Sequence, residues 1–280
     1  MSKIAVAKLS IGTWKYFENE RFSRTILDEA YELGVRRFDT ARSYASGMAE
    51  RNLGLFLQTI QDRDSIFVST KAFGGNNNAQ LPLSRVVLRD SISRSLDALK
   101  LNYLDCLYLH NYVPEVNLVE LSDVILDLMS EQRIRAFGFC HWPSEGIKKL
   151  LSIDPALNNA EIFVQTLHNL LTPLDESIIK KCRIVAYSPL ARGLLTDKNN
   201  FTVNSQSNRF ENGEVELLDL FLKKTNHLID NIKMVKKKSL ENLAYSYVFN
   251  NKNIDHVCCG FSSVSQLQSL VSSLRKDFYE

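Results

Sequence analysis

Residues 84–110 read SRVVLRDSISRSLDALKLNYLDCLYLH. Leu88, Ile92, Leu96 and Leu99 recur at intervals of three and four, the spacing that gathers apolar side chains on one face of an α-helix. The closing run, Leu104 to His110, is apolar on both sides for most of its length. That pattern belongs to strands of a parallel sheet covered by helices. The stretch is one helix followed by one buried strand, and the strand ends in a histidine.

The unit repeats along the chain. Apolar runs stand at Leu9–Thr13, Val35–Thr40, Ile66–Lys71, Leu104–His110, Ile134–Cys140, Glu161–Gln165, Arg183–Tyr187 and His256–Gly260. Amphipathic stretches such as 22–33, 84–99, 118–131, 144–151 and 264–274 separate them. Eight strand–helix units in 280 residues, spaced this evenly, predict a closed (β/α)8 TIM barrel, a single α/β domain over 1–280. No G-x-G-x-x-G follows the first strands, which argues against a doubly wound dinucleotide-binding sheet. One interval breaks the rhythm. Residues 188–255 are expected to hold a long loop, with the polar stretch Asp197–Asn212, and an accessory helix region near 214–250. Lys223, Lys224, Lys233, Lys236, Lys237 and Lys238 cluster there, read as a solvated helix face with phosphate binding as the alternative.

Composition removes whole classes of function. Hydrophobic residues are 45% and charged residues 24%, and the formal net charge of +2 gives no reason to expect nucleic acid or an anionic membrane as partner. The longest stretch without acidic or basic residues, 256–274, carries six serines and two glutamines and does not read as a membrane span. Met1 to Ala5 lack the apolar core of a signal peptide, so a cytosolic (cytoplasmic) protein is expected. The five cysteines show no paired spacing, and Cys258 and Cys259 should face opposite sides of a strand. With no C-x2-C or H-x3-H pattern, no metal site is expected.

In such a barrel, chemistry sits at the C-terminal ends of strands. Asp39, Lys71 and His110 end runs two, three and four, with Tyr44 shortly beyond the first of them. Singly, they read as a helix cap, a surface lysine and a core histidine. Together they converge on one mouth, where Asp39 and Lys71 can pair. A nearby ammonium lowers the pKa of a phenol, ordinarily about 10. The set suits protonation of a carbonyl oxygen as hydride reaches its carbon. Strand ends elsewhere offer Gly12, Thr13 and Trp14, Cys140, His141 and Trp142, Gln165, and Tyr187, Ser188 and Pro189.

These residues resemble the aldo-keto reductase family over nearly the whole chain. Gly34 through Asp39, Thr40, Ala41 and Tyr44, continuing through Gly47, Glu50 and Gly54, is similar to the family's G-x-x-x-x-D-T-A-x-x-Y-x-x-G-x-x-E-x-x-x-G signature. Ser69-Thr70-Lys71, Leu96 to His110 and Tyr187 to Gly193 match further family motifs. The resemblance implies NAD(P)H-dependent reduction of an aldehyde or ketone, a small carbonyl substrate, with Tyr44 as general acid. Lys71 and Asp39 would tune it, and His110 would position the carbonyl. NADP is the implied cofactor, with NAD the alternative. Gln165 would hold the carboxamide, Tyr187 would stack on the nicotinamide, and Ser188 and Leu190 would meet the pyrophosphate. Gly12, Thr13, Trp14, Asp39, Cys140, His141, Pro189, Arg192, Gly260, Phe261, Ser262, Ser263 and Gln266 complete that lining, and Trp14 and Trp142 join Tyr44 and His110 in the substrate pocket. Tyr16 and Tyr112 are further aromatic candidates.

Two departures stand out. Family members commonly end the fifth strand with Gly-x-Ser-Asn, whereas this chain has Gly138-Phe139-Cys140-His141. After the eighth strand come Gly260, Phe261, Ser262 and Ser263, then Gln266, without the arginine that grips a 2′-phosphate. Arg192, Lys198 and Arg209 are the cations that could replace it. The opening hairpin of the family is reduced or absent. The alternatives are a cofactor-binding regulatory protein on the same scaffold, and a metal-dependent hydrolase with His110 and Asp39 as ligands. The sequence is silent on oligomeric state.

Overall fold

A computed structural model describes residues 2–15, 17–72, 84–174, 182–196 and 239–275. Tyr16, the stretch Asp197–Asn212 with Lys198 and Arg209, and the lysines from 223 to 238 lie outside the described residues.

Eight parallel strands close in sequence order, each bonded to the next and the last to the first. They are β1 (Leu9–Gly12), β2 (Arg37–Asp39), β3 (Phe67–Ala72), β4 (Leu104–Leu109), β5 (Ile134–Cys140), β6 (Ile162–Leu167), β7 (Arg183–Tyr187) and β8 (Ile254–Cys259). Among the described residues the α-helices are α1 (Ser2–Ala7), α2 (Glu20–Glu32), α3 (Met48–Leu57), α4 (Arg85–Leu99), α5 (Leu118–Ser130), α6 (Ser144–Ile153), α7 (Leu240–Phe249) and α8 (Val264–Arg275). The short helix α1 precedes the first strand and lies beside α8.

Local signals set the helix ends. Asn19, Ser84, Asn117 and Ser239 each accept a backbone N–H of the first turn of α2, α4, α5 and α7. Such caps contribute about 1 kcal/mol each. Gly34, at φ +93°, turns the chain out of α2, so β2 starts at Arg37 and not at Val35 as the apolar run suggested. The eighth strand begins earlier than expected, at Ile254, because Asp255 interrupts the apolar pattern yet lies within salt-bridge reach of Arg37 and Arg183.

Strand alternation divides the core into two shells. Leu9, Ile11, Phe38, Leu107, Phe137, Phe139, Val164, Ala186 and Cys259 join the layer under the helices. Cys106, Tyr108, Ala136, Phe163, Val185 and Cys258 pack together inside the barrel. Adjacent Cys258 and Cys259 thus face opposite sides, as expected. Gly138 of β5 has no room for a side chain, since a Cβ there would lie 2.6 Å from the Phe163 carbonyl oxygen and 2.8 Å from the Tyr108 ring. Among the described residues no helix is long and apolar enough to cross a membrane.

Candidate active site

Parallel strands bring all their C-terminal ends to one rim. Lys71 and Asp39, on neighbouring strands, are both buried and form an ion pair between Nζ and Oδ1. Nζ also donates to the Thr40 carbonyl at 2.9 Å. The other carboxylate oxygen, Oδ2, accepts from Ser69 Oγ at 2.8 Å and from Gln165 Nε2 at 3.0 Å. With its oxygens committed in this way, Asp39 is poorly suited to ligate a metal, which argues against the hydrolase alternative.

Tyr44 opens a turn between β2 and α3 in which Ala45, Ser46 and Gly47 all have positive φ. Glu50 anchors this turn, accepting Thr70 Oγ1 at 2.7 Å and Arg42 Nη1 at 3.2 Å. The Tyr44 ring then sits 4.9 Å from Lys71 Nζ and 6.0 Å, edge to face, from the His110 ring. Burial pushes the Tyr44 phenol above its ordinary value and the Lys71 ammonium only partly opposes it. The lowering expected from sequence is therefore outweighed by desolvation. For Lys71, burial disfavours the charge, but Asp39 and then Tyr44 outweigh it and hold the group protonated. His110 is lowered to about 3 by burial, then by Lys71 and His141. Its Nδ1 is buried with no hydrogen-bond partner.

Most of the other candidates gather at the same rim. Gly12 leaves space against Cys258 Sγ, and Thr13 Oγ1 donates to Thr40 Oγ1 at 2.8 Å. Trp14 is 50% exposed, with Arg192 Cζ 6.0 Å above its ring, so the first and seventh strand loops meet there. His141 stacks on His110 at 5.9 Å and meets the Tyr187 ring edge-on at 5.8 Å. Cys140 Sγ makes a long contact of 3.6 Å to Gln165 Oε1. Ser188, Ala191 and Arg192 all adopt positive φ. Ser188 does so directly before Pro189, which disfavours helical geometry at the preceding residue. Asn169 Nδ2, donating to the Ser188 carbonyl at 3.1 Å, holds this bend. Leu190 packs beside Leu194, Leu195 and the Leu240 and Ala244 side chains of α7.

Six candidates sit differently. Phe261 is buried in the layer under the helices, and Gly260 before it is exposed. Ser262 and Ser263 are occupied by the start of α8, where Gln266 Oε1 accepts the Ser262 N–H and Oγ at 2.9 Å and Ser263 Oγ accepts the Gln266 N–H. Trp142 is buried between Tyr112 and Phe139, with its indole Nε1 unpartnered. Sequence reasoning gave no role to Ser69 or Asn169. Ser69 lies two residues before Lys71 and so shares its face of β3, a signal that alternation alone could have supplied.

The aldo/keto reductase family model matches residues 8–279. The chain belongs to the aldo/keto reductase family. Relatives include the L-glyceraldehyde 3-phosphate reductase of Escherichia coli K12, 26% identical over 98% of this chain and 85% of that protein. A putative voltage-gated potassium channel subunit beta of Schizosaccharomyces pombe is 28% identical over 71% of this chain and 62% of its own length. The holo form of aldo-keto reductase AKR11C1 from Bacillus halodurans superposes with a TM-score of 0.76 at 23% identity, covering 95% of this chain and 86% of that one. Members of the family are oxidoreductases that generally bind NAD(P)H and act on small carbonyl compounds.

Proposed function

We propose that this chain reduces an aldehyde or ketone to the alcohol with NADPH, or with NADH, using Tyr44 as general acid. The observation that carries the reading is that the Tyr44 ring lies 4.9 Å from the buried Lys71 ammonium and 6.0 Å from the His110 ring. The ionisation states agree with the roles. Tyr44 keeps its proton because burial disfavours phenolate, yet it sits beside an ammonium that stabilises the phenolate formed once the proton leaves. Burial, then Lys71 and His141, favour the neutral form of His110, which can donate a hydrogen bond to a carbonyl oxygen without competing as acid.

The donor set at the rim fits a nicotinamide. Gln165 has its Nε2 committed to Asp39, which leaves Oε1, held only by a long thiol contact, to accept a carboxamide N–H when the cofactor is bound. Tyr187 offers a half-buried ring that could stack on the nicotinamide, and the positive-φ bend at Ser188 to Arg192 would offer backbone N–H groups to a pyrophosphate. When bound, the dinucleotide supplies the hydride. Lys71 and Asp39 fix the field at the phenol, and His110 orients the substrate oxygen toward Tyr44. Residues 1–280 act in this reading as one barrel domain, cytoplasmic, with the bend at Ser188 to Arg192 serving the cofactor.

The regulatory reading draws on Cys140 and His141, which depart from the usual carboxamide-holding pair. Replacing Tyr44 with phenylalanine tests the enzymatic reading. The variant should lose roughly 10²-fold or more in kcat, the scale of a general acid, and still bind NADPH in a fluorescence titration. Near-normal turnover in the variant would remove Tyr44 from the mechanism. Binding without turnover in the parent chain, across a panel of carbonyl compounds, would favour the regulatory reading.

A further inference from the structure

His110, Cys140 and His141 each present one metal-ligating atom, and these atoms all lie within 4.8 Å of one another. The three come from the ends of β4 and β5, so no local spacing announces them. His141 follows β5 in a left-handed conformation, φ 55°, which histidine tolerates better than most residues. From that turn its ring lies stacked on His110.

We propose that this cluster is a zinc site at the mouth of the barrel. Two imidazole nitrogens and a thiolate suit a borderline-soft ion such as Zn²⁺ and do not suit Mg²⁺ or Ca²⁺. Bonds of about 2.0–2.3 Å to one tetrahedral ion need ligand atoms some 3–4 Å apart, which side-chain rotation can reach from the observed spread. None of the donors has a strong competing partner that must first be broken. His110 Nδ1 has no hydrogen-bond partner, and Cys140 Sγ makes only its long contact to Gln165. His110 and Cys140 are buried while His141 is exposed, which gives an ion a route from solvent. Three protein ligands leave a fourth position for water. On binding, the Cys140 S–H bond breaks, sulfur keeps the electron pair for the metal, and the proton goes to buffer. The thiolate then offsets part of the repulsion between the ion and the Lys71 ammonium.

The consequence rests on the reductase reading. The ion takes His110 from the substrate oxygen and occupies the carboxamide region, so zinc and dinucleotide exclude each other and zinc is a reversible inhibitor.

Cobalt(II) titration of the purified, metal-free chain tests the site. A thiolate-to-cobalt charge-transfer band should saturate at an equimolar ratio, vanish on adding zinc, and accompany proton release to an indicator dye. Cys140→Ser should abolish the band. His141→Asn should weaken cobalt binding by more than ~10–100-fold, the loss expected even for an outer-shell partner. No charge-transfer band in the parent chain overturns the site, and so does a band that persists in Cys140→Ser or cobalt affinity unchanged in His141→Asn. None of these readouts needs dinucleotide or turnover, so the site and the reductase reading can fail separately. Zinc inhibition that NADPH relieves competitively, and that a chelator reverses, supports the regulatory consequence; bound zinc with undiminished turnover overturns it.

Discussion

Gln165 donates to Asp39 at 3.0 Å across the barrel, from β6 to the diametrically placed β2. The residue assigned to the carboxamide is thus hydrogen-bonded to the carboxylate that pairs with Lys71. In the proposed mechanism cofactor binding and proton donation therefore share one buried network, and a change at either end should be felt at the other.

Gln165→Ala is the direct test of that coupling. It removes a hydrogen bond to a charged group, worth about 1.5–3 kcal/mol. The dinucleotide Kd should rise, and kcat should fall as well, because the Asp39–Lys71 pair loses a support. A change in Kd alone would show that the network does not transmit to the phenol.

The Asp39–Lys71 pair should prove functional more than stabilising. Lys71→Met strands a buried carboxylate and should cost about 3–5 kcal/mol in denaturant unfolding. Replacing both partners with apolar residues, as in Lys71→Met with Asp39→Leu, should recover most of that loss. Turnover should stay lost in the double variant. Recovery of both stability and turnover would assign the pair a structural role only.

Much of this site could be read from the chain because Asp39, Lys71 and His110 each end an apolar run, where a charged or polar residue marks a strand end. The barrel was legible for the same reason, as its strands are buried on both faces and stand out as blocks. What stayed hidden depends on contacts between distant strands. The Gln165–Asp39 bond joins residues 126 apart, and the His110, Cys140 and His141 cluster crosses two strand ends. Asp255 concealed the start of β8 because its charge is answered by Arg37 and Arg183 from other strands. The net rise at Tyr44 was hidden too, since sequence names the neighbouring ammonium but not the depth of burial.

Gly138 should resist substitution. Gly138→Ala drives a methyl into the Phe163 carbonyl and the Tyr108 ring, neither of which is a free-moving side-chain end. Tyr108 lies fully buried, its ring 5.9 Å from Lys71 Nζ. Overpacking of this kind costs about 1–3 kcal/mol, so thermal unfolding should shift down. An alanine variant with an unchanged melting temperature would mean that β5 and β6 separate more easily than their pairing suggests.

Stability should fall on acidification before the carboxylates titrate. His256 is buried inside the lower barrel against Phe67 and Phe163, and burial lowers its pKa although Asp255 opposes the shift. Burial also lowers His168, and it takes His110 to about 3 with help from Lys71 and His141. Below the unfolded histidine value of about 6.5, the unfolded chain binds protons that these folded imidazoles refuse. The unfolded state then carries more protons, so the unfolding free energy rises with pH across this window. It is lost as pH falls from about 6.5 toward each folded value, at up to ~1.4 kcal/mol per pH unit for each such histidine. Urea titrations at about pH 7.5, 6.5 and 5.5, above the ordinary carboxylate range, should show the decline. His256→Gln, far from the proposed chemistry, should flatten the slope by no more than one histidine's share. A stability that stays level over this range would mean that the buried imidazoles take up protons as freely as in the unfolded chain, and the neutral His110 required for carbonyl positioning would lose its support.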